Sequence, residues 1–141
     1  MSRIFVTGIG IISPLGNNLA ENHDALKSGT CGITNLELFK SRYSDVFPVG
    51  EVKIDDASLK DYLKANSKGV TRTSLLAQHA FKQAVEDAGL NIKELQSSET
   101  ALIGATTVGG ICMTDELYRD ANNLSQNSEN LESYDMASVF L

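Results

Sequence analysis

Two cysteines and two histidines are the residues of this chain that could supply a nucleophile and its base. They are Cys31, Cys112, His23 and His79. A reactive cysteine needs a base, a cation or a helix N-terminus that lowers the pKa of its thiol. The sequence near Cys31 contains no such partner, whereas Cys112 precedes a predicted helix. We interpret both cysteines as small packing residues and both histidines as ordinary helix residues. A Cys–His pair that the fold brings together is the alternative.

A glycine-rich segment, residues 6–16, has the appearance of an anion-binding turn. It follows the apolar run Ile4–Val6, which predicts a buried strand. A dinucleotide-binding turn has the pattern Gly-x-Gly-x-x-Gly and offers free backbone N–H groups at a helix start. Counted from Gly8, the third glycine position holds Ser13, and Pro14 removes an N–H donor. A nicotinamide-dependent reductase is therefore the weaker of the functions that this segment suggests.

The same segment resembles the amino-terminal signature of the β-ketoacyl synthases, the carbon–carbon condensing enzymes of fatty acid and polyketide synthesis. That signature is a strand ending in Val-Thr-Gly-x-Gly, then apolar residues, then Ser or Thr, Pro, any residue and Gly. Further segments resemble the family in the same order: Ser28-Gly29 with Gly32-Ile33 and Phe39; Gly50-Glu51-Val52; Arg72 with Ala77, Ala80, Ala84 and Ala88; Asp87-Ala88-Gly89-Leu90; and Ile103–Gly110. The resemblance covers almost the whole chain.

The resemblance implies an α/β fold of the thiolase-like αβαβα layered type. Residues 1–141 are expected to be the amino-terminal part of the synthase domain, the first half only, as a truncated fragment without the catalytic half. In this family the nucleophilic cysteine and two histidines lie further along the chain. We therefore expect no catalytic residue, and no metal site, within this segment.

The implied parent protein is a 3-oxoacyl-[acyl carrier protein] synthase, or ketosynthase. This acyltransferase joins malonyl-carrier to an acyl thioester by decarboxylative Claisen condensation, without a cofactor. Its implied partners are the acyl carrier protein, acyl and malonyl thioesters, and a second copy in a homodimer. A non-catalytic ketosynthase-like subunit that sets chain length is an alternative, since the residue that distinguishes the two lies further along the chain.

Thr107 and Val108, just before Gly109-Gly110, are the candidate acyl-tunnel residues that the resemblance implies. A β-branched side chain at a tunnel wall has few rotamers, so it limits which acyl chains enter. The alternative is that Val108 is a core residue at the end of a strand.

Lys64, Lys68 and Arg72 form a basic cluster with a spacing of four residues in an acidic chain. On one continuous helix they would share a face, although Gly69 weakens that geometry. In the family, basic residues of this region receive the acidic acyl carrier protein, and complementary charge increases the association rate. The alternative is an ordinary solvated face.

Composition predicts a globular cytoplasmic protein. The chain has 141 residues, 42% hydrophobic and 21% charged, with a net charge of −6. The negative charge argues against a nucleic-acid partner. No apolar run is long enough to cross a membrane, and the first residues lack the features of a signal peptide. The apolar ending Met136–Leu141 also favours a truncated chain.

Local patterns predict the elements that would position these residues. Asn18 and Glu21 predict the start of a helix that ends at Gly29, and the apolar spacing of Thr73–Ala88 predicts the longest helix, closed by Gly89. Further predictions are a strand at Val49–Ile54, a helix at Ser58–Leu63, a strand at Thr100–Ile103, a helix at Met113–Ala121 and a loop at Asn122–Ser133.

Overall fold

A computed structural model of the chain describes residues 3–39, 41–67, 70–107 and 109–110. In chain order the elements are α1 (Leu19–Ser28), β1 (Ile33–Thr34), β2 (Val49–Gly50), α2 (Asp56–Leu63), α3 (Arg72–Asp87) and α4 (Ile92–Leu95). The helix predicted at Met113–Ala121, the loop after it and the apolar ending lie outside the described residues.

Helix α1 begins and ends where the sequence predicts. The side chain of Asn18 accepts the backbone N–H of Glu21 at 2.9 Å, and the Glu21 carboxylate accepts the N–H of Asn17 at 2.7 Å. This variant of the capping box satisfies donors that have no partner within the helix. At the other end Gly29 has φ 70°, a left-handed conformation that glycine reaches without strain.

Helix α3 agrees with its prediction to within one residue at each end. Thr71 caps it, since its hydroxyl accepts the N–H of Ser74 at 3.1 Å. At the carboxyl end Gly89 has φ 67°, and the N–H of Leu90 donates to the carbonyl of Val85 at 3.1 Å. These contacts form the glycine cap that the sequence Gly89-Leu90 predicts.

Helix α2 begins two residues earlier than predicted, because Asp55 caps it and accepts the N–H of Ser58 at 2.7 Å. The hydrogen bonds from Ser58 lower the pKa of Asp55 below its ordinary value. The helix ends on Lys64, whose φ of 54° is the left-handed conformation in a residue that has a Cβ. That conformation costs about 1–2 kcal/mol outside glycine.

The core is small and lies where α2 packs against α3. Leu59 of α2 and Leu75 of α3 are fully buried. Helix α1 adds Ala25 and the polar Asn22 to the buried set, whereas its larger apolar residues Leu19 and Leu26 are exposed.

The buried strands predicted at Ile4–Val6 and Thr100–Ile103 are not formed, and this part of the prediction is wrong. Ile4 is 96% exposed and Ile103 is 91% exposed. An apolar run becomes a buried strand only when neighbouring strands supply hydrogen bonds and a second layer covers its side chains. Among the described residues, no strand is paired with either run.

The predicted strand at Val49–Ile54 is shortened to β2, which pairs antiparallel with β1. In the register of this pair, Ile33 faces Gly50 and Thr34 faces Val49. Gly32, the residue before β1, lies close to Pro14. Gly50, at the same end of the pair, lies close to the same proline.

The order of helices and strands is compatible with the first part of an α/β fold. Within the described ranges the sheet has two strands, and α2 and α3 pack on each other. The αβαβα layering therefore stays a prediction.

Candidate functional site

The glycine-rich segment lies directly on helix α3. A Cβ atom added to Gly8 would stand 2.8 Å from the Cβ of Ala88, and one added to Gly10 would stand 2.7 Å from the backbone N of Ala84. Both distances are too short for a real Cβ atom. Glycine is therefore required at both positions, since any side chain would overlap the helix.

The spacing of the two glycines matches the spacing of the alanines. Two residues of extended chain advance about 6.6 Å. Four residues of α-helix advance about 6 Å. Alternate residues of the segment can therefore meet every fourth residue of the helix, which are Ala80, Ala84 and Ala88, all half-buried. The sequence prediction that these alanines allow close approach is confirmed, although Ala77 and Phe81, predicted on the same face, are exposed.

Polar side chains of α3 hold the backbone of the same segment. The N–H of Ile9 donates to the carboxylate of Asp87 at 2.9 Å, and the N–H of Ile11 donates to Gln83 Oε1 at 3.3 Å. The carbonyl of Asn17 accepts Gln83 Nε2 at 2.6 Å. These contacts join residues 66 to 78 positions apart in the sequence.

His79 belongs to the same row of side chains and is buried. Its Nε2 lies 2.9 Å from the carbonyl of Asn17, and since a carbonyl only accepts, Nε2 carries the proton. The other ring nitrogen is buried without a hydrogen-bond partner in the described part of the chain. The ring packs against Tyr62 of α2, with 5.1 Å between ring centroids. His79 is thus a packing residue, as the sequence predicts, and it also anchors the segment through Asn17.

The segment closes with a tight turn at Ser13–Gly16. The N–H of Ser13 donates to the carbonyl of Gly16 at 2.9 Å, and the reverse bond is 3.1 Å long. The hydroxyl of Ser13 accepts the N–H of Leu15 and contacts the buried side chain of Asn22. Asn22 in turn donates to the carbonyl of Gly16 at 2.8 Å, which fixes the turn on α1.

These bonds use the amide donors that a nucleotide phosphate would need. Each of the backbone N–H groups at positions 9, 11, 13, 15, 16 and 17 donates to an acceptor of the chain itself. A phosphate-binding turn presents such donors free, at the start of a helix. The geometry therefore argues against a dinucleotide site, in agreement with Ser13 and Pro14.

The remaining candidates for nucleophilic chemistry are Cys31, His23 and Cys112. Cys31 is exposed, and its Sγ contacts the carbonyl of Ile33 at 4.0 Å. His23 is exposed on α1 beside Asp24. Neither histidine is a hydrogen-bond partner of Cys31. Cys112 lies outside the described residues.

The predicted basic cluster is divided between two helices. Lys64 is exposed just after α2, Arg72 is the first residue of α3, and Lys68 lies outside the described residues. The Arg72 guanidinium forms an ion pair with Asp56 and donates to the carbonyl of Val52 at 2.8 Å. Of the two cluster members that the structure describes, Lys64 is the exposed one.

Thr107, the first acyl-tunnel candidate, is exposed in the structure. Val108, the second, lies outside the described residues. The tunnel assignment stays a prediction.

A buried carboxylate that the sequence analysis did not identify lies beside β2. Glu51 accepts the backbone N–H groups of Glu37 and Leu38 at 2.9 and 3.0 Å, and Lys53 Nζ at 3.0 Å. Burial raises the pKa of Glu51, but these three donors together lower it below its ordinary value. Lys53 also pairs with Glu37 at 2.9 Å, and this contact raises the pKa of the lysine.

The anchoring residues of α3 were also missed, although the sequence carries a signal for them. His79, Gln83 and Asp87 are spaced by four residues, each directly before Ala80, Ala84 or Ala88. A polar row beside a small-residue row on one helix is the pattern of a surface that binds a backbone segment.

No group of three or more histidine, cysteine or acidic side chains in the described residues is arranged to bind a metal ion. None of the helices in the described ranges has the length and hydropathy that crossing a membrane requires.

Comparison with known proteins identifies relatives over most of the chain. The family model described as beta-ketoacyl synthase, N-terminal domain matches residues 1–140. The chain is 34% identical to 3-oxoacyl-[acyl-carrier-protein] synthase 1 of Buchnera aphidicola, over 78% of this chain and 27% of that protein. It is 33% identical to 3-oxoacyl-[acyl-carrier-protein] synthase 2 of Synechocystis, over 81% of this chain and 27% of that protein.

A third relative, 3-oxoacyl-[acyl-carrier-protein] synthase 2 of Coxiella burnetii, is 29% identical over 82% of this chain and 28% of its own length. The matched part thus spans little more than a quarter of each of these relatives. No solved structure matches the chain significantly. Since the family model matches nearly every residue, the chain belongs to the β-ketoacyl synthase family and corresponds to its amino-terminal domain.

Proposed function

We propose that this chain is the amino-terminal segment of a 3-oxoacyl-[acyl carrier protein] synthase. The parent would load an acyl group on a cysteine, decarboxylate malonyl-carrier and join the two by Claisen condensation. The observation that carries this proposal is the family match over residues 1–140, supported by relatives that bear the synthase name. The family resemblance also suggests that the parent acts as a homodimer.

The segment is proposed to contribute architecture rather than chemistry. In the described residues Cys31 has no hydrogen bond to either histidine, and six backbone N–H groups within residues 9–17 are already bonded. In this proposal the nucleophile, its two histidines and the oxyanion hole are supplied by residues beyond this segment. Residues 8–17 and α3 would form part of the framework that supports them.

The test is a condensation assay with acyl-carrier and malonyl-carrier substrates. We expect product from a protein extended to the length of the relatives and none from residues 1–141 alone. Product formed by the 141-residue chain would contradict the division of roles and would require a nucleophile within it. An inactive full-length protein that retains both thioesters unchanged would instead favour a non-catalytic, chain-length-setting subunit.

Lys64 and Lys68 are proposed to contact the acidic acyl carrier protein. The support is the exposure of Lys64 at the end of α2, on a chain of net charge −6. The best variant at position 64 is Lys64→Asn, because Asn tolerates the left-handed conformation while removing the charge. Combined with Lys68→Gln in the full-length parent, it should reduce turnover of carrier-bound substrates and flatten their salt dependence.

A small carrier-free thioester is the control for carrier docking. Its turnover should be unchanged in the Lys64→Asn, Lys68→Gln double variant, since it needs no docking surface. Equal losses on both kinds of substrate would assign these lysines to folding instead.

Val108 and Thr107 are proposed to line the acyl tunnel. In the full-length parent, Val108→Phe should reject long acyl groups and still accept short ones, because each excluded methylene loses about 0.8 kcal/mol of burial. A core residue would behave differently, since overpacking lowers stability by about 1–3 kcal/mol and affects all substrates alike. An unchanged length profile with a lower melting temperature would overturn the tunnel assignment.

A further inference from the structure

A pocket of about 220 Å³ opens between β2 and the first turns of α3. Its apolar lining comes from Leu36, Phe39, Val49, Val52 and Leu76. Arg72 and Glu51 also line it, so two charged side chains border an otherwise apolar space. Apolar walls with a few placed polar groups are the usual composition of a small-molecule site.

Arg72 is held firmly and still has unused donors. Its side chain is 19% exposed, and it is fixed by the ion pair with Asp56 and the 2.8 Å bond to the carbonyl of Val52. A guanidinium has five N–H donors. The described residues accept two of these bonds, which leaves three donors for solvent or for a ligand.

The wall of the pocket opposite α3 is also fixed before any ligand binds. Glu51 lines the pocket and binds the backbone N–H groups of Glu37 and Leu38. These bonds hold the loop that carries Leu36 and Phe39. Ordering of the site would therefore reduce the binding free energy of a ligand only slightly.

The charges at the pocket select the class of ligand. Arg72 is paired with Asp56, and Glu51 is paired with Lys53 at 3.0 Å. Because both charged lining residues are paired, an anion would meet the carboxylate of Glu51 and a cation would meet the guanidinium of Arg72. We propose that this pocket binds a small neutral molecule with an aliphatic body and one carbonyl group, which accepts a hydrogen bond from Arg72.

The volume sets the size of that molecule. A water molecule occupies about 30 Å³ of the liquid, so 220 Å³ corresponds to roughly seven non-hydrogen atoms. A cavity of about 150 Å³ lined by apolar side chains is large enough for benzene. Pentanamide has the required size, a carbonyl acceptor and no charge, and it is the probe we would use.

The experiment is a titration of the full chain with pentanamide, followed by backbone amide signals in NMR spectra. We expect saturable shifts at residues 49–52 and at Leu76, with a dissociation constant on the order of millimolar for a ligand of this size. Pentanoate and pentylamine, which have the same chain length and opposite charges, should bind at least about fivefold more weakly. Absence of saturable shifts, or equal binding of pentanoate, would overturn the proposal.

Two variants with a matched control locate the site. Val49→Phe fills the pocket with a residue suited to a strand and should weaken pentanamide binding about tenfold. Val46→Phe makes the same change at a residue that is 62% exposed and is not part of the lining, so it should leave the affinity unchanged. Equal affinities of the two variants would place any binding elsewhere.

Leu76→Ala tests the same site without filling it. The pocket grows in this variant, so binding should shift in favour of heptanamide over pentanamide. An unchanged preference between the two amides would contradict the assignment even if Val49→Phe failed to fold.

Discussion

Residues 3–6 and residues 8–17 are neighbouring parts of one segment, but they differ in how far they are exposed to solvent. The first part is the more apolar and is largely exposed, with Phe5 at 72% and Val6 at 81%. The second part is held by α3 through close backbone contacts and hydrogen bonds. Hydrophobicity alone therefore does not bury a segment. Burial also needs a surface of matching shape and matching donors and acceptors.

The largest expected effect on stability comes from disrupting the close fit between the glycine-rich segment and α3. Gly10→Ala places a methyl group where the backbone of Ala80 and Ala84 already lies. We expect the free energy of unfolding, measured with urea, to fall by about 3 kcal/mol, because a helix backbone cannot move away as a side chain can. The comparison between the two parts of the segment would fail if this variant were as stable as the original chain.

Gly104→Ala is the matched control. Gly104 lies in the exposed run near Ile103, and a Cβ added there meets no atom within 4 Å. Its substitution should change the free energy of unfolding by less than about 0.5 kcal/mol.

A smaller effect on stability is expected from removing the hydrogen bonds between α3 and the glycine-rich segment. Gln83→Ala deletes the acceptor of the Ile11 N–H and one donor to the carbonyl of Asn17. We expect a loss of about 1–2 kcal/mol in urea unfolding, since part-buried backbone groups lose partners. Gln78→Ala, on the exposed side of the same helix, should be nearly neutral. Equal losses in the two variants would show that Gln83 acts through helix propensity alone.

A third region extends the comparison: the loop at Glu37 and Leu38 is held by hydrogen bonds to the charged carboxylate of Glu51. The pKa of Glu51 is lowered from 4.5, so its contribution to stability is present above about pH 4.5 and is lost as the pH falls through the folded value. The pKa of Lys53 is raised from 10.5, so its contribution is complete below that pH and is lost as the pH rises above it.

The amide protons of Glu37 and Leu38 are suitable reporters of this loop, since both donate to Glu51. Their NMR shifts should be constant from about pH 5 to 10 and should change together in acid. Glu51→Gln should abolish that acid transition. Persistence of the transition in the variant would assign it to another carboxylate.

The smallest effect on stability is expected in the exposed runs. The double variant Phe5→Ser, Ile103→Ser should change the melting temperature little, because both side chains already face solvent. The same variant should bind less of a dye that recognises apolar surface and should self-associate less. A clearly lower melting temperature would mean that these runs are buried in solution.

Local sequence determined the ends of α1 and α3. Asn18 with Glu21, Gly29, and Gly89 with Leu90 each placed a terminus to within one residue. These signals act within a few residues, so they need no knowledge of the rest of the fold. The match of residues 6–16 to the family signature was equally readable, because it depends on residue types and spacing.

The tertiary structure alone decided which residues meet. It placed Gly8 and Gly10 on α3 and buried His79. It also paired Arg72 with Asp56 and with the carbonyl of Val52. It also left Ile4–Val6 and Leu102–Ile103 in solvent, although their apolar character predicted burial. Strand pairing and backbone packing depend on partners that lie tens of residues away in the sequence. A local apolar pattern predicts that a segment needs such a partner, but it does not identify the partner.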